Sequence, residues 1–357
     1  MSFSYYDVFL VSNMSELGQV IPLGPTGPFP EIPLRDVLER RWLHYAFLSR
    51  DLEFGLVSNI AWLGLGDQAD PRPFSTSILL LYRRGHGWRS SQFNALTAEP
   101  LWSAFRRPHA AAEERTFELR STSEDPSVKL RLSRTSRPCT SQCAPFAGDH
   151  FLRWQSESGV LARGDWRFAG ETFTRDAVGY HERVRGRWGW PELGGWVFGF
   201  ANDTASDPAA APAHALVFTL IQPIKPAGST TASVMVWRMG RLVRHFPRHR
   251  VSVAIRGLLN RNDVTQVPGL SNLLGVPPME PIPRRLLISA AMGRDYAVLD
   301  FSCDSAARIV IPNETGIDPF SVHEVIGPVS VEGRISGRDF QFASFGIVEF
   351  AGGARAD

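Results

Sequence analysis

Tyr180, His181 and Glu182 set a phenol, an imidazole and a carboxyl side by side, and Trp188, Trp190 and Trp196 follow closely, with Trp154 and Trp166 upstream. Groups of the first kind hold and pass protons. Tryptophan faces line apolar pockets and stabilise developing positive charge through the ring quadrupole. A carboxyl desolvated by such rings keeps its proton toward neutral pH. On a strand, Tyr180 and Glu182 would face one way and His181 the other, so either the Tyr180–Glu182 pair or His181 points into a given cavity. Asp176 lies on the same stretch. The candidate catalytic residues are therefore His181, Glu182, Tyr180 and Asp176. The candidate substrate-binding residues are Trp188, Trp190, Trp196, Phe198, Phe218 and Trp166. Each has a purely structural alternative: the tryptophans as core filler, Glu182 paired with Arg183 or Arg185. Glu324 and Glu349 are read as structural carboxylates paired with arginine.

The rest of the composition excludes more than it selects. The formal charge is +2 over 357 residues, without the basic excess of a nucleic-acid binder. Lysine occurs only at Lys129 and Lys225, neither preceded by glycine, so there is no phosphate-cradling Gly-Lys-Ser/Thr loop. No Gly-x-Ser-x-Gly elbow is present. His181-Glu182 and His323-Glu324 begin a zinc-protease motif, but Arg185 and Gly327 stand where its second histidine belongs. Pro247 breaks the His245…His249 pair, which reads as a basic surface turn. Cys139, Cys143 and Cys303 cannot make a disulfide framework and are read as free thiols. No cofactor or metal motif appears, and none is expected. The first residues lack the basic flank and long apolar run of a secretion signal, and no apolar run approaches a membrane-spanning helix, so the expected compartment is the cytoplasm.

The elements that must position these residues read as strands. Prolines and glycines are scattered along the chain and bound short β-branched and aromatic runs, among them Ser77–Tyr82, Thr116–Arg120, Ser127–Leu132, Leu216–Gln222, Ser233–Met239, Ala297–Ser302 and Ala307–Ile311. Helical periodicity is confined to Arg35–Phe47 and Arg284–Met292. One segment repeats: Gly170-Glu-Thr-Phe173 through Gly179-Tyr-His-Glu182 aligns without a gap to Gly337-Arg-Asp-Phe340 through Gly346-Ile-Val-Glu349. Both copies read as strand, tight glycine turn, and a return strand ending in Gly-x-x-Glu. Duplication predicts two similar β units, each large enough for a closed barrel able to hold a ligand. The expected fold is all-β, two β-barrel halves packed together with few short helices, in domains 1–185 and 186–357.

The motif Gly179-Tyr180-His181-Glu182, then Trp188-Gly189 and the Gly195-Trp196-Val-Phe198-Gly-Phe200 strand, resembles the lipocalin-like superfamily that includes carotenoid 1,2-hydratase (hydroxyneurosporene synthase) and the AttH-type proteins. Tocopherol cyclase and the lipocalin-like Diels-Alderases are more remotely similar. Phe320-Ser-Val-His323-Glu324 and the late Gly346-x-x-Glu349 are of the same type. The resemblance implies two lipocalin-like barrels and an apolar small-molecule substrate; no nucleic-acid partner is expected from the charge, and the sequence leaves open both transient membrane contact during ligand collection and the oligomeric state. Glu182 and Arg183 replace an Asp and a His common in that group. Phe218-Thr219-Leu220 stands where the hydratases carry a Tyr-x-Asp pair, so a proton donor would have to come from His181, Glu182 or Asp176. Three readings follow: an enzyme of polyene, terpenoid or polyketide metabolism that promotes intramolecular cyclisation or isomerisation, which orientation of the reacting ends can drive without a cofactor; a carotenoid-type hydratase; and a non-catalytic lipid binder.

Overall fold

A computed structural model describes residues 38–63, 74–95, 116–120, 125–136, 141–204, 210–223, 230–268, 282–311 and 320–352. The thiol expected at Cys139 lies outside them; Cys143 and Cys303 are free. The first sheet has nine strands: β1 (Glu39–Ser49), β2 (Phe54–Leu63), β3 (Phe74–Arg83), β4 (Gly87–Ala95), β5 (Thr116–Arg120), β6 (Ser127–Ser133), β7 (Ser141–Pro145), β8 (Phe151–Phe168) and β9 (Glu171–Arg187). Their order is β4-β3-β2-β1-β9-β8-β6-β5, with β7 beside β8. The second has eleven: β10 (Leu193–Asn202), β11 (His214–Pro223), β12 (Thr231–Arg238), β13 (Arg241–Pro247), β14 (Val251–Leu258), β15 (Val264–Gln266), β16 (Pro283–Met292), β17 (Asp295–Ser302), β18 (Ser305–Ile311), β19 (Phe320–Ile335) and β20 (Arg338–Ala351). Its order is β13-β12-β11-β10-β20-β19-β17-β16-β14, with β18 on β19 and β15 parallel to β18.

Each sheet curls around its own core. Leu79 of β3 and Leu119 of β5, near opposite ends of the first sheet, meet in one cluster with Tyr45, Phe47, Phe54 and Trp166. In the second, Phe246 of β13 joins Leu286 of β16, Phe301 of β17 and Phe218 of β11. A third cluster lies between the barrels: Ala46, Leu48 and Tyr180 pack against Phe198, Phe200, Ile326 and Ile347. Burying a large apolar side chain is worth about 1.5–3 kcal/mol, so this seam is a substantial contact.

The architecture expected from sequence is present, and so are the seven named strand runs, apart from Met239, which closes the turn after β12. The two expected helices are not. Residues 39–47 of the first belong to β1, where nearly every residue from Leu43 to Ser49 is buried on one sheet face or the other. Arg284–Met292 lies in β16, whose alternating burial at Leu286, Ile288 and Ala290 has the period of two. Helices among the described residues are single 3-10 turns such as Trp190–Glu192. None is long and apolar enough to cross a membrane.

The repeated segment is a repeated structure. β8 and β9 are joined by the two-residue turn Ala169-Gly170, and β19 and β20 by Ser336-Gly337; all four residues have positive φ, the conformation that suits a tight hairpin between twisted strands. Glu182 of β9 sits opposite His44 of β1. Its counterpart Glu349 of β20 sits opposite Phe198 of β10. Two residues before His44 and Phe198 come Trp42 and Trp196, a matched pair whose rings stack with centroids 6.4 Å apart.

Candidate functional site between the barrels

The matched strands face each other, so each contributes its acid to the same place. Among the described residues, His44, Glu324 and Glu349 form the one histidine–carboxylate group compact enough to hold a metal, with ligand atoms within 4.8 Å of one another. Glu324 stands opposite Glu349 across β19 and β20. Glu182 and Tyr180 complete the cluster from β9. The Tyr180 hydroxyl lies 2.7 Å from Ser156 Oγ and also contacts Glu182 Oε2. A phenol has one proton, so the arrangement that satisfies all three groups has Ser156 donate to Tyr180 and Tyr180 donate to Glu182. The Trp196 indole N–H donates to Glu349 Oε1.

The walls are aromatic. His44 meets Tyr180 and Phe198 edge-on at 6.5 and 5.9 Å. Trp190 stacks on Trp196 and on Phe320, at 5.9 and 4.4 Å. Trp42, Trp196 and Phe320 are only half-buried, so this stack leads from the acids toward the surface. Trp190 is held by its 3-10 turn, where Glu192 accepts from the Gly189 N–H at 2.7 Å and bonds His150 Nδ1 at the same distance. The Arg40 guanidinium lies over Trp188 and Trp190 and donates from Nε to Trp188 O at 3.1 Å.

Burial raises the Glu182 carboxyl to about 8; the Tyr180 hydrogen bond lowers it and the neighbouring Glu349 raises it. Glu182 and Glu349 nevertheless keep accessible surface. Dense surroundings and residual access are compatible if these side chains line a narrow recess. Glu324 is fully buried and pushed well above the usual carboxylate range, by desolvation and then by Glu349, with which it shares a hydrogen bond. Burial lowers His44, against an upward pull from Glu349. The site thus sets proton donors and acceptors beside π faces, with Glu182 and Glu324 held toward their protonated forms, and among the described residues no arginine or lysine forms an ion pair with its carboxyls.

Of the residues singled out from sequence, Tyr180, Glu182, Trp190, Trp196 and Phe198 come together here. Trp188 packs behind them, edge-on to Trp42 at 5.5 Å. The others lie elsewhere. His181 points into the first barrel, stacked on Tyr45 at 4.3 Å, with Nδ1 3.0 Å from His44 O. Asp176 is half-exposed and paired with Arg163 at 3.5 Å. Trp166 fills the first barrel's core beside Phe54. Phe218 fills the second, where it helps line a void of only about 10 Å³, at the lower limit for one water. A shallow hollow of about 280 Å³ between Trp88 and Gln266–Pro268 holds no reactive group beyond the Arg89–Asp125 ion pair. The arginine pairing expected for Glu324 and Glu349 is replaced by their bond to each other. Sequence reading missed His44, which carries no local motif; its signal was β1 itself, hidden by the helical assignment.

No protein-family model and no curated protein sequence matches the chain. Solved structures do match. A protein described as AttH from Nitrosomonas europaea aligns over 94% of this chain and 99% of its own, at 13% identity and a TM-score of 0.58. Kievitone hydratase from Nectria haematococca aligns over 90% of both chains at 10% identity and a TM-score of 0.52. CghA in complex with Sch210972 aligns over 88% of both at 10% identity and 0.50. The fold is that of the AttH-like double barrels. At such identities the likeness concerns the fold, and the superfamily resemblance read from the Gly179–Glu182 region holds at that level.

Proposed function

We propose that the chain is an enzyme that takes an apolar, unsaturated small molecule into the seam between its barrels and promotes its intramolecular cyclisation or isomerisation. One observation carries this reading: the Tyr180–Glu182 donor pair lies beside an aromatic stack of Trp42, Trp190, Trp196 and Phe320, of which all but Trp190 are half-buried. The rings would hold an apolar chain in a folded conformation, so that its reacting ends meet with little further loss of entropy. The Ser156–Tyr180–Glu182 chain would donate a hydrogen bond or a proton to the substrate, and the π faces would stabilise the positive charge that follows. The aromatic lining would shield that charge from premature capture by water. The fold shared with structures of a hydratase and of CghA with its bound compound supports catalysis on compounds of this general kind.

Hydration of a carbon–carbon double bond is the second reading, favoured by His44 beside Glu349, because a neutral imidazole next to a carboxyl can take a proton from attacking water. Incubating the purified chain with linear polyenes, terpenoid alcohols and polyketide-type trienes in H₂¹⁸O separates the two. A cyclised or isomerised product without ¹⁸O supports the first reading, and an ¹⁸O-labelled alcohol the second. With either product, Glu182→Gln should lower turnover about 10²- to 10⁴-fold, the usual contribution of a positioned acid. Full turnover by that variant would remove Glu182 from the mechanism.

A further inference from the structure

We propose that His44, Glu324 and Glu349 bind one first-row divalent metal ion in the seam. The three ligands come from both barrels: β1 of the first and the β19–β20 hairpin of the second. Their ligand atoms lie within 4.8 Å of one another. An ion held about 2.0–2.2 Å from each ligand needs them slightly closer, which pivoting of the carboxyl groups supplies.

Two independent features point to an occupant. Glu324 is 2% exposed, and its Oε2 has no hydrogen-bond partner among the described residues, although buried polar atoms almost always have one. The seam also gathers three carboxyl groups with which no arginine or lysine among the described residues forms an ion pair, an arrangement open to a doubly charged ion. The supporting contacts are of the kind that orient ligands. The Trp196 indole holds Glu349 Oε1, and Phe198 and Tyr180 fix the plane of the His44 ring. One imidazole nitrogen with two carboxylates suits the series from Mn²⁺ to Zn²⁺ and disfavours Mg²⁺ and Ca²⁺, which prefer all-oxygen shells. Binding would displace the proton shared by Glu324 and Glu349 and tie the two barrels together. Glu182 and Tyr180 are not ligands, so the inference stands apart from the cyclisation or isomerisation proposed above and survives its failure.

The test uses the full chain, stripped with a chelator and titrated calorimetrically with Zn²⁺, Mn²⁺ and Co²⁺ in buffers of different ionisation enthalpy. Expected are one ion per chain, release of about one proton, a higher melting temperature and, with Co²⁺, visible bands of a nitrogen–oxygen site. His44→Ala and Glu324→Gln should each weaken binding at least tenfold. Glu324→Gln swaps one neutral side chain for another of the same shape, so its fold, checked by circular dichroism, should be retained. Glu332→Gln, on the exposed face of β19, should bind as the parent chain does. Failure of all three metals to bind saturably at one ion per chain would overturn the proposal. So would unchanged affinity in both ligand variants, which would mark adventitious surface binding.

Discussion

The two faces of β9 bury acids in opposite ways. On the face turned into the first barrel, Glu157 of β8 lies 3.0 Å from Arg134, with Arg183 and His181 beside it. Burial raises the Glu157 carboxyl to about 8, although both guanidinium groups pull it down. On the face turned to the seam, Glu182 is bonded by the Tyr180 phenol, and the neighbouring Glu349 pushes it further up. The first cluster gives its acid guanidinium partners within the fold. The second leaves carboxyl groups without such partners among the described residues at the junction of two barrels, where the proposed cation and substrate would bind. Buried polar groups left incompletely matched are more often the ones a protein uses than the ones that hold it together.

This contrast can be broken by substitution, beginning with the largest expected change. Arg183→Ala removes one partner of a buried ion cluster and should destabilise the chain by about 3–5 kcal/mol, read from urea unfolding. A loss below about 1 kcal/mol would mean that the barrel interior is not held by charge pairing.

The duplicated strands give the next comparison. A methyl group on Gly179 would sit 2.0 Å from Ala46 O, a backbone atom, whereas on Gly346 the nearest atom is Phe200 O at 3.0 Å. Gly179→Ala should cost about 2–3 kcal/mol through overpacking and Gly346→Ala clearly less. Equal losses would show that the repeat is closer to symmetric than the packing indicates.

The last change concerns Glu182 and depends on pH. Its carboxyl titrates near 8 in the folded chain and near 4.5 unfolded. The folded value is the higher, so its contribution to stability is full below about pH 4.5 and is lost as the pH rises through about 8. With chelator present, Glu182→Gln should match the parent chain within about 1 kcal/mol at pH 5 and become relatively more stable by pH 9. A gap that moves the other way would mean that the carboxylate is ionised in the fold.

Much of the fold could be read from the chain because its signals are local. The two hairpins announce themselves through Gly170 and Gly337, and alternation along Ser127–Leu132 states which face is wet. β1 misled for a physical reason: it has the core of the first barrel on one side and the seam on the other, so nearly all of Leu43–Ser49 is apolar or buried and no period of two survives. The site was half legible for a related reason. Tyr180 and Glu182 are neighbours on one strand face, and the sequence allowed that face or the His181 face. Only the packing of one barrel on the other selects it and brings in Glu324 and Glu349, while His44 comes from the neighbouring strand β1. Trp166 and Phe218 show the converse, since an aromatic residue on a barrel strand has the same local pattern whether it fills a core or borders a recess.

That the seam, and not either barrel interior, receives the guest is tested most directly by titrating the chain with a conjugated tetraene fatty acid and following energy transfer from tryptophan. The account predicts saturable binding at one molecule per chain, abolished by Phe320→Arg at the mouth of the recess and retained by Val253→Met beside the small void of the second barrel. No saturable binding, or binding that Phe320→Arg leaves intact, would contradict it.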